Sequence, residues 1–149
     1  MAAITIIGYG NLMRGDDAAG ILAAGELDAY FRGDDEVKIA AVQQLTPEMA
    51  EMVARSSFVL FLDACNEQEP GTIRCIPVDS ELQACRFTHH LTPAALLNAA
   101  QQLYGQAAPA ATLTLTGWSF AVNDEVSSGV RDRLPEFIRR AKELVEAHK

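Results

Sequence analysis

Three apolar runs, separated by amphipathic stretches, constrain the fold of this chain more than any other feature. They are Ala3–Ile7, Val37–Val42 and Phe58–Leu62, and the last is the most apolar run of the sequence. Ala3–Ile7 shows no outward polar alternation, which is typical of a strand buried on both faces of a parallel sheet. Because parallel neighbours need crossover helices, the alternation predicts a three-layer α/β/α fold with a mostly parallel, twisted sheet of about five strands.

Two Thr-Pro pairs mark the starts of further helices. In Thr46–Pro47 and Thr92–Pro93 a hydroxyl that can cap a helix precedes a proline whose missing N–H costs nothing there. Two further strands are predicted at 72–78 and 112–116, and Pro77 indicates that the first of them lies at a sheet edge.

The last helix has the clearest pattern of the chain. Its apolar residues recur at helical spacing, and they are Val130, Leu134, Phe137, Ile138, Ala141, Leu144 and Val145. Pro135 interrupts this pattern, so we expect the helix to begin near Leu134 or to kink there.

Length, charge and cysteine content limit the possible functions. The 149 residues fit one domain, 1–149. A net charge of −8 without a basic cluster argues against nucleic acid and anionic membranes as partners. No apolar run could span a bilayer and no signal peptide is recognisable. The odd cysteine count and the lack of a CxxC pair argue against disulfides or structural zinc, so we expect a cytoplasmic protein.

The segment Gly8–Gly20, GYGNLMRGDDAAG, joins the first strand to a helix and is unusually acidic. A glycine-bearing turn at this junction normally faces a ligand. Asp16 and Asp17 would repel a phosphate there and attract a cation. A dinucleotide site is weakly supported, because GYGNLMRG is not GxGxxG and no acidic residue closes the second strand.

Further polar residues are expected at the same sheet edge. Asp63 follows the predicted central strand, and ligands of open α/β sheets bind beyond the carboxyl ends of the strands. His89 and His90 precede a helix in a loop that could cover this edge. Carboxylates and an imidazole suit nickel, zinc or iron, and three protein ligands would leave one position open.

Each candidate also has a simpler explanation. Asp17 could merely complement a helix dipole, which is worth about 0.3–1 kcal/mol. Asp63 could cap a turn, and a histidine before a helix is usually a solvated loop residue. Cys65 and His89 could form a nucleophilic pair, although a small buried hydrophobic residue is the commoner role of a lone cysteine.

Several motifs resemble those of the nickel–iron hydrogenase maturation proteases. The glycines, Asn11 and the acidic pair in 8–20 resemble the N-terminal signature of that family. Leu62–Ala64 matches its second motif, and Pro70–Thr72 and Thr88–His89 match later ones. The similarity covers nearly the whole chain, in order and with similar spacing.

The resemblance implies an endopeptidase that removes the C-terminal extension of a hydrogenase large-subunit precursor after nickel insertion. It implies that Asp17, Asp63 and His89 form the catalytic site and contact the nickel. The metal belongs to the substrate, so no permanently bound cofactor is expected. Cleavage is implied after a basic or histidine residue, just past the last nickel-binding cysteine motif of the precursor.

The chain departs from the family pattern in two places. Ala41–Gln44 replaces the Asp-Gly-Gly-Thr of many members, and His89–Thr92 replaces a segment with His-Gln and a glycine. Both variants resemble a subgroup that serves bidirectional, NAD-linked hydrogenases. His90 remains a rival to His89. Side chains expected to contact the substrate are Asn11, Asp16 and Gln44.

Two mechanisms stay open, because no serine or cysteine is convincingly placed as a nucleophile. The nickel of the substrate, held by Asp17, Asp63 and His89, could polarise the scissile carbonyl or activate water. Alternatively these residues only recognise nickel, and Asp16 or Asp17 acts as a base. The competing functions are a non-catalytic metal-binding or nickel-checking chaperone and a small-substrate metallohydrolase that retains its metal.

Overall fold

The computed structural model describes residues 2–79 and 91–149. One five-stranded sheet has the order β2-β1-β3-β5-β4, in which β4 alone runs antiparallel to its neighbour. This confirms the predicted mostly parallel sheet, with β4 at an edge. The strands are β1 (Ile4–Tyr9), β2 (Val37–Val42), β3 (Phe58–Cys65), β4 (Ile73–Pro77) and β5 (Ala110–Thr116).

Helices cover both faces of the sheet, which confirms the three layers. They are α1 (Ala19–Tyr30), α2 (Ala50–Arg55), α3 (Pro93–Tyr104) and α4 (Ser128–His148). α1 and α4 pack against each other on one face, and α2 and α3 on the other. Short 3₁₀ turns at Gly15–Ala18 and Pro47–Met49 precede α1 and α2.

β3 is the central strand, and it is longer than its apolar run. All eight of its residues are buried. It continues past Leu62 to Cys65, so the prediction that the strand stops at Asp63 is wrong. Asp63 lies in register with Thr114 of β5, which extends the parallel ladder. Asp63 is therefore held by a strand rather than by a loop.

The two Thr-Pro pairs behave differently. Thr92 caps α3 as predicted, because its Oγ1 accepts a hydrogen bond of 3.1 Å from the Ala95 backbone N–H. Thr46 makes no side-chain capping bond, and a 3₁₀ turn intervenes before α2. The hydroxyl cap predicted at Thr46 is therefore wrong.

α4 passes through Pro135 without stopping. The helix starts at Ser128, where the Ser127 side chain caps it, so a start near Leu134 is wrong. Val130 before the proline and Phe137 after it are both fully buried. Apolar packing on both sides thus holds the helix across the missing backbone bond, while Pro135 itself is exposed. Within the described residues, no helix combines the length and apolar character needed to cross a bilayer.

Candidate active site

The candidate site lies where β1 and β3 run side by side. After β1 the chain adds β2 on one side, and β3 then pairs with the other side of β1. Such a reversal of strand order creates a crevice beyond the carboxyl ends of the strands. Asp17 enters this region from the 3₁₀ turn after β1, and Asp63 from the end of β3. The predicted convergence of the two carboxylates is therefore present in the fold.

Two glycines allow the segment that carries Asp17 to sit directly on the strand ends. A Cβ on Gly20 would lie 2.3 Å from the carbonyl oxygen of Leu62 and 2.8 Å from that of Tyr9. Gly10 has φ +151°, and a Cβ there would lie 2.0 Å from the Asp17 carbonyl oxygen. The family-like glycines thus serve close backbone approach, without which Asp17 could not reach the edge of β3.

Asp17 is buried and receives little compensation for its charge. Its Oδ2 accepts a hydrogen bond of 2.6 Å from the Asn11 backbone N–H. Burial raises the pKa of Asp17, while the Asn11 bond and the charge of Arg14 lower it, and the net shift is upward. Removal from water therefore outweighs the stabilising contacts of this carboxylate.

Asp63 is more strongly perturbed. Its Oδ2 accepts a hydrogen bond of 2.9 Å from the Tyr9 hydroxyl, and only 8% of the residue is exposed. Burial, with a smaller contribution from the charge of Asp17, raises the pKa of Asp63 to about 8, although the Tyr9 bond opposes the shift. Near neutral pH, and without a bound cation, this pair of carboxyl groups would therefore hold a proton. A cation between the two carboxylates would favour ionisation of both.

Asp16 has a different role from its neighbour. Its Oδ2 accepts bonds from the Trp118 N–H (2.6 Å), the Ser119 N–H (3.1 Å) and the Ser127 hydroxyl (2.8 Å). Its Oδ1 accepts the Ser127 N–H at 2.7 Å. Burial raises the pKa of Asp16, but these bonds together bring it below the usual value. Asp16 is fully buried, so its position argues against the predicted roles in substrate binding and as a base.

Asn11 shapes the loop that carries Asp17. Its Oδ1 accepts a hydrogen bond of 2.8 Å from the Met13 N–H, and its own backbone N–H holds Asp17. Gln44 is exposed in the loop after β2, next to β1 at the same sheet edge. Substrate contacts by Asn11 and Gln44 stay predictions.

The predicted histidines, His89 and His90, lie outside the described residues. The described chain resumes at Leu91, which packs in the cluster between the sheet and α2 and α3. Tyr9 belongs to the same cluster. Among residues 2–79 and 91–149, no three histidine, cysteine or acidic residues form a group that could hold a metal.

Cys65 is buried two residues beyond Asp63, on the same side of β3. Its Sγ accepts a hydrogen bond of 3.4 Å from the Glu67 N–H, and its charge is among the influences that raise the pKa of Asp63. Because His89 is not described, the Cys65–His89 pair stays a prediction. Cys75 is exposed on β4.

Tyr9 is the site residue that the sequence analysis missed. The predicted first strand ended at Ile7, whereas β1 continues to Tyr9. Side chains of a strand alternate between faces, so Ile7 and Tyr9 share one face. Extending the period-2 pattern by two positions would have placed the hydroxyl beside the end of β3.

Several solved structures that share this fold are named as hydrogenase maturation proteases. The hydrogenase maturating endopeptidase HybD from E. coli aligns with TM-score 0.86 and 18% identity, over 97% of this chain and 93% of that one. The protease HycI from Thermococcus kodakarensis aligns with TM-score 0.75 and 22% identity, over 97% and 93%. A hydrogenase 2 maturation peptidase from a Thaumarchaeota archaeon aligns with TM-score 0.69 and 19% identity, over 96% and 97%.

At these identities the likeness establishes the fold. A comparison of the sequence with family models finds no match, and neither does a comparison with curated proteins.

Proposed function

We propose that this protein is an endopeptidase that removes the C-terminal extension of a nickel–iron hydrogenase large-subunit precursor after nickel insertion. The observation that carries the proposal is the buried pair Asp17 and Asp63, whose pKa values are both raised, at the carboxyl ends of two adjacent parallel strands. Support also comes from the likeness, over nearly the whole chain, to solved structures of hydrogenase maturation proteases.

The electrostatics of the pair suit a ligand that arrives with its own positive charge. When no cation is bound, ionising both buried carboxyl groups is unfavourable in free energy. A divalent cation carried by the precursor would neutralise both carboxylates and release the shared proton. The protein would therefore bind nickel-loaded precursor more tightly than nickel-free precursor. The pair would thereby test whether nickel is present before cleavage.

Cleavage then requires polarisation of the scissile carbonyl or activation of a water molecule. We assign this step to the nickel of the substrate, held by Asp17, Asp63 and His89, as a Lewis acid would act. Asp16 is not a candidate base in this scheme, because four hydrogen bonds occupy it. His89 enters the proposal only through the family resemblance.

We extend the proposal to the subgroup that serves bidirectional, NAD-linked hydrogenases, because Ala41–Gln44 and His89–Thr92 resemble its variants. We further propose that the protein acts in the cytoplasm, since its substrate would be a hydrogenase subunit not yet assembled.

The decisive experiment is a processing assay on nickel-loaded and nickel-free precursor, read as a mobility shift and by mass spectrometry of the released peptide. We expect cleavage of the loaded precursor only. Asp17→Asn and Asp63→Asn should each lower its rate by roughly a hundredfold or more, the scale of a lost electrostatic or acid–base group. Asp28→Asn, at an exposed position on α1, is the matched control and should process normally.

The alternatives give different results in the same assay. Stable binding of loaded precursor without cleavage would indicate a nickel-checking chaperone. Metal that stays with the protein through purification, together with hydrolysis of small esters or peptides, would indicate a metallohydrolase. Full processing by both Asn variants would exclude the roles given to Asp17 and Asp63.

A further inference from the structure

The Tyr9 hydroxyl joins the ends of the two strands that form the crevice. Tyr9 is the last residue of β1, and it donates a hydrogen bond of 2.9 Å to Oδ2 of Asp63 on β3. Both residues are buried, with 6% of Tyr9 and 8% of Asp63 exposed. The bond is therefore formed largely out of contact with water, where it is stronger than an exposed one.

The Tyr9 ring is fixed by packing that does not involve its hydroxyl. The ring belongs to the apolar cluster between the sheet and α2 and α3, which includes Ile7, Val53 and Phe61. A phenylalanine would fill the same space. The hydroxyl is therefore not needed to fill the core. Its hydrogen bond to the Asp63 carboxylate indicates a role other than packing.

Asp63 needs such a restraint if one of its oxygens is to face a ligand. The strand fixes its backbone, but the terminal torsion of an aspartate has a broad, roughly two-fold distribution. The hydrogen bond from the rigidly held Tyr9 hydroxyl to Oδ2, together with the backbone hydrogen bond from Ala64, selects one orientation of the carboxylate.

We propose that Tyr9 is a positioning residue that orients the Asp63 carboxylate toward the metal-bearing precursor through its hydroxyl bond to Oδ2. This inference rests on the proposed protease function. Tyr9 itself does not contact the substrate in this scheme. It acts by holding Asp63 in the geometry that the reacting centre requires, where small misplacements are costly.

The test replaces Tyr9 with phenylalanine, and Tyr104→Phe, on the exposed end of α3, serves as the matched control. We expect Tyr9→Phe to lower kcat for nickel-loaded precursor by roughly ten- to a hundredfold, the scale of one hydrogen bond to a charged group. KM should change by less than about threefold, because a buried hydroxyl adds nothing to the docking surface. Tyr104→Phe should match the unmodified protein in both constants.

A second readout separates this inference from the protease function. In protein labelled with ¹³C-aspartate, Tyr9→Phe should shift the Asp63 carboxyl resonance and leave that of Asp16 in place, while the thermal midpoint reports the fold. Unchanged processing with an unchanged Asp63 resonance would overturn the inference, as would a loss of processing that only follows unfolding. If the unmodified protein cleaves no precursor, the protease function fails, and the resonance shift still decides whether Tyr9 orients Asp63.

Discussion

Asp16 and Asp17 are adjacent and both buried, yet their surroundings have opposite effects on them. Asp16 accepts four hydrogen bonds from the segment before and at the start of α4, and its pKa is lowered. Asp17 lies beside Asp63 near the ends of β1 and β3, and both of those pKa values are raised. The contrast shows that burial alone does not determine the role of a carboxylate. A carboxylate whose charge the protein itself satisfies supports the fold, whereas one left short of donors is available to a cation from outside.

The two neighbouring carboxylates should also contribute differently to the stability of the fold. The bonds to Asp16 join the loop after β1 to the loop after β5, so they should stabilise the native state. Without a bound cation, Asp17 and Asp63 should lower the free energy of unfolding, because ionising a buried, weakly solvated carboxylate is unfavourable. Sites that perturb pKa values in this way are typical of functional clefts.

The largest expected effect is at Asp16. Asp16→Ala should lower the free energy of unfolding by roughly 3 kcal/mol or more, because it leaves the N–H groups of Trp118, Ser119 and Ser127 without their acceptor. Urea denaturation at pH 7 measures the loss, with Asp28→Asn on the exposed face of α1 as the control. If Asp16→Ala were as stable as the control, the contrast between the two neighbouring carboxylates would fail.

Asp63→Asn should raise the free energy of unfolding rather than lower it, and the size of the increase should depend on pH. Between about pH 4 and 8 the folded state keeps a proton on Asp63 that the unfolded state has lost, so this residue destabilises the protein increasingly as pH rises. From pH 5 to 7 the stability of Asp63→Asn relative to the unmodified protein should therefore increase by about 2–3 kcal/mol. Denaturation at several pH values tests this, and a constant difference would contradict the raised pKa.

Two glycine substitutions in α1 test whether this helix must lie close to the strand ends. Gly20→Ala should lower stability by about 1–3 kcal/mol and impair processing, because the new methyl would collide with the backbone of Leu62 and Tyr9. Gly25→Ala, one and a half turns along α1, meets nothing within 4 Å and should stabilise the helix by about 0.5–1 kcal/mol. Thermal unfolding of the two variants compares them. Equal effects would show that α1 does not depend on its close approach to the strands.

The smallest difference between two paired variants is expected at helix caps. Ser127 caps α4, since its hydroxyl accepts the Val130 N–H, and it also donates to Asp16. Ser127→Ala should cost about 1–2 kcal/mol. Thr46→Ala removes a hydroxyl that forms no capping bond and should change stability by less than about 0.5 kcal/mol. Chemical denaturation distinguishes these outcomes, and a loss at Thr46 as large as that at Ser127 would contradict them.

The fold was predictable from the sequence because its signals are local. Apolar runs correctly indicated β1, β2 and β3, and the spacing of buried residues indicated the inner face of α4. The errors concern places where tertiary packing overrides a local preference. Pro135 lies inside α4 because apolar contacts continue on both sides of it, and β3 extends through Asp63 because pairing with β5 continues there.

The site was predictable only in part. Topology brings Asp17 and Asp63 to one edge, and strand order follows from rules that a sequence can invoke. The role of Asp16 could not be foreseen, because its donors lie more than a hundred positions away in an irregular segment. The hydroxyl of Tyr9 escaped notice because strand ends are the least certain part of any assignment from sequence.

The distant partners of Asp16 also bear on how the protein is made. Trp118 and Ser127 follow Asp16 by 102 and 111 positions, and the loop after β1 forms backbone bonds to Asn123 and Asp124 as well. A chain emerging from the ribosome therefore completes the first loop only after β5 and the start of α4 have been synthesised. Contacts of such wide sequence separation slow folding, because the entropy of closing a long loop is lost before the contact forms. A chain truncated before Trp118 should therefore lack the bonds that hold Asp16 and the loop after β1.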